Sequence, residues 1–149
     1  MSEQHISLYR PLMDYIEFWE RLRRRSIPLF SQVAHPGIQY IDPYRNLQGI
    51  EHMSQHMEDR FEIFQDIKYK CSNYSWGARD DGNIAYLHWD IYAERKGREN
   101  QLSGISEIKF YEDKKVCSHI DYWNTTEDFF EEPTIVKSVV KTLKSRYSQ

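Results

Sequence analysis

Ser103-Gly104-Ile105-Ser106-Glu107-Ile108-Lys109-Phe110, the charged stretch Glu112 to Lys115, and then Val116-Cys117-Ser118-His119-Ile120-Asp121-Tyr122-Trp123 read as two strands joined by a short turn. Strand side chains alternate between faces, so His119, Asp121 and Trp123 share one face. A titratable pair beside a large aromatic on one sheet face is a common way to build a small-molecule pocket. Residues two apart on a strand are about 6.5 to 7 Å apart. The expectation is therefore that His119 and Asp121 reach a ligand or water in parallel, and bond each other only if their side chains lean together.

Working back from this hairpin, Ile67–Trp76, Asn83–Glu94, Asn100–Tyr111 and Lys115–Trp123 form an antiparallel meander, with turns at 79–82, 96–98 and 112–114. Ahead of it, Leu8, Leu12, Tyr15, Ile16, Trp19 and Leu22 recur at helical spacing and predict a helix over Leu8–Arg25. Its arginine-rich end suits a helix C-terminus and reads as solvated. A short helical piece follows at Ile27–Val33, and His35-Pro36-Gly37 breaks the chain. Ile38–Asp42 reads as a short strand stopped by Pro43, since the residue before a proline is pushed out of the α region. A turn at Asn46–Gly49 leads to a second amphipathic helix, Ile50–Phe64, with Ile50, Met53, Met57, Phe61 and Phe64 as its apolar set. Thr125 or Thr126 caps a last helix over 126–147, which Pro133 interrupts. Segregated helices and strands indicate one α+β domain spanning residues 1–149, its core at 8–123, with helices on one face of a curved antiparallel sheet.

Composition excludes several classes. A formal net charge of −3 argues against a protein built to hold nucleic acid. No segment approaches 18 apolar residues, so none reads as a membrane span. Met1–Arg10 lacks an apolar region of the signal-peptide kind, and the two cysteines, Cys71 and Cys117, form no CxxC, so both read as reduced, mostly buried thiols of a cytoplasmic protein. There is no glycine-rich phosphate loop and no nucleophile elbow. His52 and His56 stand at i, i+4, but a zinc site needs a third protein ligand, and a solvated face is the plainer reading. Neither a metal nor an organic cofactor is expected. Aromatic content is high, with eleven Tyr, seven Phe and four Trp.

The order of elements, Tyr40-Ile41-Asp42-Pro43-Tyr44 followed by Gly49-Ile50, and the hairpin ending His119–Trp123 resemble the nuclear transport factor 2 superfamily, and within it the SnoaL-like, ketosteroid-isomerase-related proteins. The resemblance implies a cone-shaped fold with a deep pocket between helices and concave sheet. It also implies a homodimer through the outer sheet face and a small apolar molecule as ligand. Asp42, Pro43 and Gly49 match the element that carries the isomerase's general base, which makes Asp42 a candidate partner for His119 from across the cavity; its plainer reading is a turn carboxylate before proline. The isomerase's second acid falls at Ser106, four residues before Phe110, so its oxyanion hole is not intact, though Tyr15 could supply a hydroxyl. Asp42, His119 and Asp121 are thus the candidate acid–base residues, and Tyr15, Trp19, Trp89, Ser106 and Trp123 the candidate pocket lining. The function implied is cofactor-free isomerisation, cyclisation or dehydration of a carbonyl compound. A non-catalytic binding module or a dimeric interaction scaffold would use the same fold.

Overall fold

The computed structural model describes residues 2–79 and 82–124. The helix expected over 126–147 and the tip of the turn at Asp80–Asp81 lie outside the described residues.

Helix α1 spans Glu3–Glu20. The Ser2 side chain caps it by accepting from the His5 amide at 3.1 Å. Leu8, Leu12, Tyr15, Ile16 and Phe18 are its buried face. The helix ends five residues earlier than the sequence suggests. Arg24 to Gln32 winds as a 3-10 helix, and Ile27 and Phe30 enter the core from it. Strand β1 (Ala34–Asp42) turns at Pro43-Tyr44 into β2 (Arg45–Gln48). The expected turn over Asn46–Gly49 is thus corrected to a strand, with Gly49 (φ 92°) at the entry to α2 (Ile50–Ile63). Pro36, which lacks a ladder donor, sits where the β1 register slips between Ala34 and Gln39.

Strands β3 (Asp66–Trp76), β4 (Ile84–Arg95), β5 (Arg98–Phe110) and β6 (Val116–Trp123) form the expected meander. The sheet order is β2-β1-β6-β5-β4-β3. Because β1 runs parallel to β6, with Tyr40 beside His119 and Ile41 beside Ile120, the sheet is mixed and not purely antiparallel. Strand β4 alternates cleanly, Ala85, Leu87, Trp89, Ile91 and Ala93 being buried. The inner face of the sheet packs against α1, the 3-10 helix and α2, giving the α+β arrangement that the order of elements indicates. Among the described residues, no helix is long and apolar enough to cross a membrane.

Candidate active site

Strand alternation sets His119, Asp121 and Trp123 on the inner face of β6. The side chains of His119 and Asp121 do lean together: Nε2 lies 2.7 Å from Asp121 Oδ1. The expectation that the two contact a ligand separately is corrected by this direct bond. On the other side of the ring, Nδ1 lies 2.7 Å from the hydroxyl of Tyr15, which is wholly buried in α1. Every group here is satisfied when Nε2 carries the imidazole proton and Tyr15 donates to Nδ1.

Asp121 is the hub of the cluster. Its Oδ1 also accepts from the Ser106 hydroxyl, and Ser106 Oγ accepts from Trp89 Nε1 at 2.7 Å. Its Oδ2 accepts from the Tyr40 hydroxyl at 2.8 Å. Arg60 of α2 donates to the hydroxyls of Tyr69 (2.9 Å) and Tyr40 (3.3 Å). Burial works to raise the Asp121 carboxyl pKa, but the charge of His119 and hydrogen bonds from His119, Ser106 and Tyr40 hold it below its ordinary value. Burial drives the Tyr15 phenol far above its usual range. Desolvation opposes the charge on Arg60, yet the surrounding Tyr69, Tyr40 and Asp121 overcome it, so the guanidinium is held protonated. The result is a largely buried anion and a buried cation joined through the Tyr40 hydroxyl.

These groups border a cavity of about 40 Å³ beneath the helices. Ser106, His119 and Asp121 form its buried polar end, Trp19, Trp89 and Tyr69 its aromatic walls, and the exposed Glu20 and Lys70 mark its mouth. At that mouth β3 bulges between Cys71 and Asn73, and the Cys71 amide bonds Glu20 Oε2 of α1 at 3.1 Å. A bulge beside a cavity is a usual way to re-aim a strand end.

Other expected residues fall elsewhere. Asp42 does not line the cavity and makes no bond to His119. Its Oδ2 lies 2.6 Å from Arg45 Nη1, and its Oδ1 accepts from the Tyr44 amide at 2.8 Å. It stands on the strand beside Asp121, not across the cavity. Tyr15 sits behind His119, outside the lining. Trp123 packs against Trp89 and Tyr44, with ring centroids 6.5 and 6.1 Å away, and is likewise outside it. His56, read as solvated, is buried against the ring of Tyr40. Both cysteines are half-buried rather than buried, and burial pushes both thiols up. Tyr40 enters the sequence reading only as part of the Tyr40–Tyr44 element, and neither it nor Arg60 nor Tyr69 is a site residue expected from the sequence. The one signal for Arg60 is its place three and seven residues beyond Met57 and Met53 on α2. No group of three or more His, Cys, Asp or Glu able to hold a metal occurs among the described residues.

A SnoaL-like domain matches residues 15–119, and the chain belongs to that family. The fold is shared with solved structures of low identity. An NTF2-like protein of unknown function from Exiguobacterium sp. 255-15 is 15% identical, with a TM-score of 0.67 over 77% of this chain and 98% of its own. A candidate SnoaL-like polyketide cyclase from Jannaschia sp. CCS1 is 11% identical, with a TM-score of 0.68 over 83% and 90%. A protein with a ketosteroid isomerase-like fold from Catenulispora acidiphila, solved in complex with trimethylamine, is 11% identical, with a TM-score of 0.63 over 78% and 86%. No curated protein matches the sequence.

Proposed function

We propose that the chain is a small-molecule acid–base enzyme of the SnoaL-like kind, acting without a cofactor on a compact carbonyl compound. The observation that carries this reading is Asp121, an ionised carboxylate held at a cavity wall by three donors, His119, Ser106 and Tyr40. A buried charge is costly to keep, and such groups cluster at functional sites. Three of the roughly four acceptor positions of the carboxylate are used, which leaves one on Oδ2 for a ligand. In the proposed step Asp121 takes a proton from the carbon next to a carbonyl. The C–H electron pair becomes the enolate, whose oxygen accepts from the Tyr69 hydroxyl, itself polarised by Arg60. Asp121 then returns the proton to a second position. His119, fixed by Tyr15, positions Asp121 and tempers its charge. Asp42 serves as a positioning group and not as the base. The cavity volume favours a ligand of a few heavy atoms over a steroid-sized one. A homodimer through the outer sheet face belongs to the same reading.

The test is hydrogen–deuterium exchange next to the carbonyl of a panel of small ketones and keto acids in D2O, followed by NMR. The native chain should accelerate exchange for at least one member. Asp121→Asn should lower that rate by about 10²-fold or more while keeping the native spectrum. A second reading, a non-catalytic binding module, draws support from the three donors already on Asp121, which make it a weak base. Its aromatic walls and carboxylate would suit a small amine, the class of molecule bound by the Catenulispora protein. Binding of trimethylamine with no exchange on any ketone would favour that module over the enzyme.

A further inference from the structure

The polar network extends past the cavity into β1. Tyr40 and His119 are registered neighbours on parallel strands, as are Ile41 and Ile120. Asp42 and Asp121 come one step later, so two carboxylates stand abreast in a buried setting, where like charges repel. Arg45 relieves one of them, with its side chain 16% exposed and that of Asp42 wholly buried. Between the two stands the Tyr40 hydroxyl, 2.8 Å from Asp121 Oδ2 and 3.3 Å from Asp42 Oδ2, with Arg60 Nη2 donating to it at 3.3 Å. A phenol carries one proton and can give it to one carboxylate at a time. The shorter bond assigns it to Asp121.

We propose that Tyr40 is a positioning residue that divides one hydroxyl proton between Asp42 and Asp121, so that the Asp42–Arg45 ion pair sets the charge of the cavity carboxylate from outside the cavity. While Arg45 satisfies Asp42, Tyr40 belongs to Asp121. When Asp42 loses Arg45, it draws the hydroxyl away and Asp121 becomes more basic. Burial and the charge of Asp121 hold the Tyr40 phenol well above its ordinary range, so it remains a donor throughout. The other groups facing Asp121 are His119 on its own strand, Ser106 on β5, Arg60 on α2, Tyr15 on α1 and Tyr69 on β3.

This inference takes Asp121 as the carboxylate of the proposed site, but its test needs no substrate. The side-chain carboxyl carbons of aspartate and the ring Cζ of tyrosine are labelled with ¹³C and titrated by NMR in the native chain, Tyr40→Phe, Asp42→Asn and the double variant. Tyr40→Phe should move the Asp121 titration up by about half a pH unit or more, and Asp42→Asn should move it down. In the Tyr40→Phe background the effect of Asp42→Asn should fall by at least half. An equal Asp42→Asn shift with and without the hydroxyl would mean coupling through space alone and would overturn the proposal. If Tyr40→Phe does not fold, Arg45→Met decides: the Tyr40 Cζ resonance should move together with that of Asp121, and a stationary Cζ overturns the proposal. Coupling without ketone exchange would sink the enzyme reading and leave this one standing.

Discussion

His56 and Asp121 make stability fall with acid, but over different ranges. Burial first, then the charges of Arg60 and Arg45, push the His56 imidazole down to about 2. Below its unfolded value of about 6.5 the unfolded chain takes up a proton that the folded chain refuses, so stability drops as pH falls. One such group costs about 2 kcal/mol between pH 7 and pH 5. Urea unfolding at the two pH values should show a drop of that size, and His56→Phe should remove most of it; an undiminished drop in the variant would assign it to other groups. Asp121 acts lower. Its folded pKa is depressed, so its contribution is complete above the unfolded value of about 3.9 and is lost as pH falls through the folded one. At this scale the sequence reveals the His119–Asp121 pair and their shared face, because both follow from alternation. It conceals His56 and Arg60. Met53, His56, Met57 and Arg60 are one helical stripe, and all four are buried. A search for apolar spacing passes over the two polar members because their partners, Tyr40 and Tyr69, lie on the flanking strands β1 and β3 and not on the helix itself.

Strand β5 depends on a glycine for its fit to β4 and β6. Gly104 is registered between Trp89 and Trp123, and a Cβ built on it would lie 2.4 Å from the Trp89 ring and 2.7 Å from the Tyr122 carbonyl. Trp89 cannot retreat without leaving Ser106. We expect Gly104→Ala to destabilise the fold by about 1–3 kcal/mol in chemical unfolding, with the loss of the Trp89–Ser106 bond seen as a change in near-ultraviolet circular dichroism. A variant as stable as the native chain would show that the strand yields more than this packing implies. The four meander strands were legible from alternating apolar residues and turn chemistry. Of the β1–β2 hairpin only Ile38–Asp42 was legible as a strand; the start of β1 and all of β2 were not, since Pro36 and Pro43 signal breaks, and the sheet accommodates them at a register slip and a turn. The parallel pairing of β1 with β6 leaves no local trace, because register between distant strands is fixed by tertiary packing.

For the whole molecule, the proposed dimer would use the outer sheet face. There His88, Ile105 and Tyr122 form a registered row across β4, β5 and β6, and Tyr122 is 56% exposed. Sedimentation equilibrium should give twice the 18.1 kDa chain mass, and Tyr122→Asp should shift the species toward one chain. A native monomer at tens of micromolar would count against this face as an interface. The β1–β6 pairing has a kinetic consequence as well. Tyr40 and Asp121 are 81 residues apart, and Tyr15 and His119 are 104 apart. Closing such long loops costs entropy before any contact repays it, so distant pairings slow folding. The meander can assemble from neighbours, whereas Asp121 meets Tyr40, and His119 meets Tyr15, only when segments far apart in the sequence come together. A chain stalled part-way would have most of its sheet but would lack the contacts of Tyr15 and Tyr40 that complete the candidate site, and recovery of the native His119 resonance would therefore time the last step of refolding.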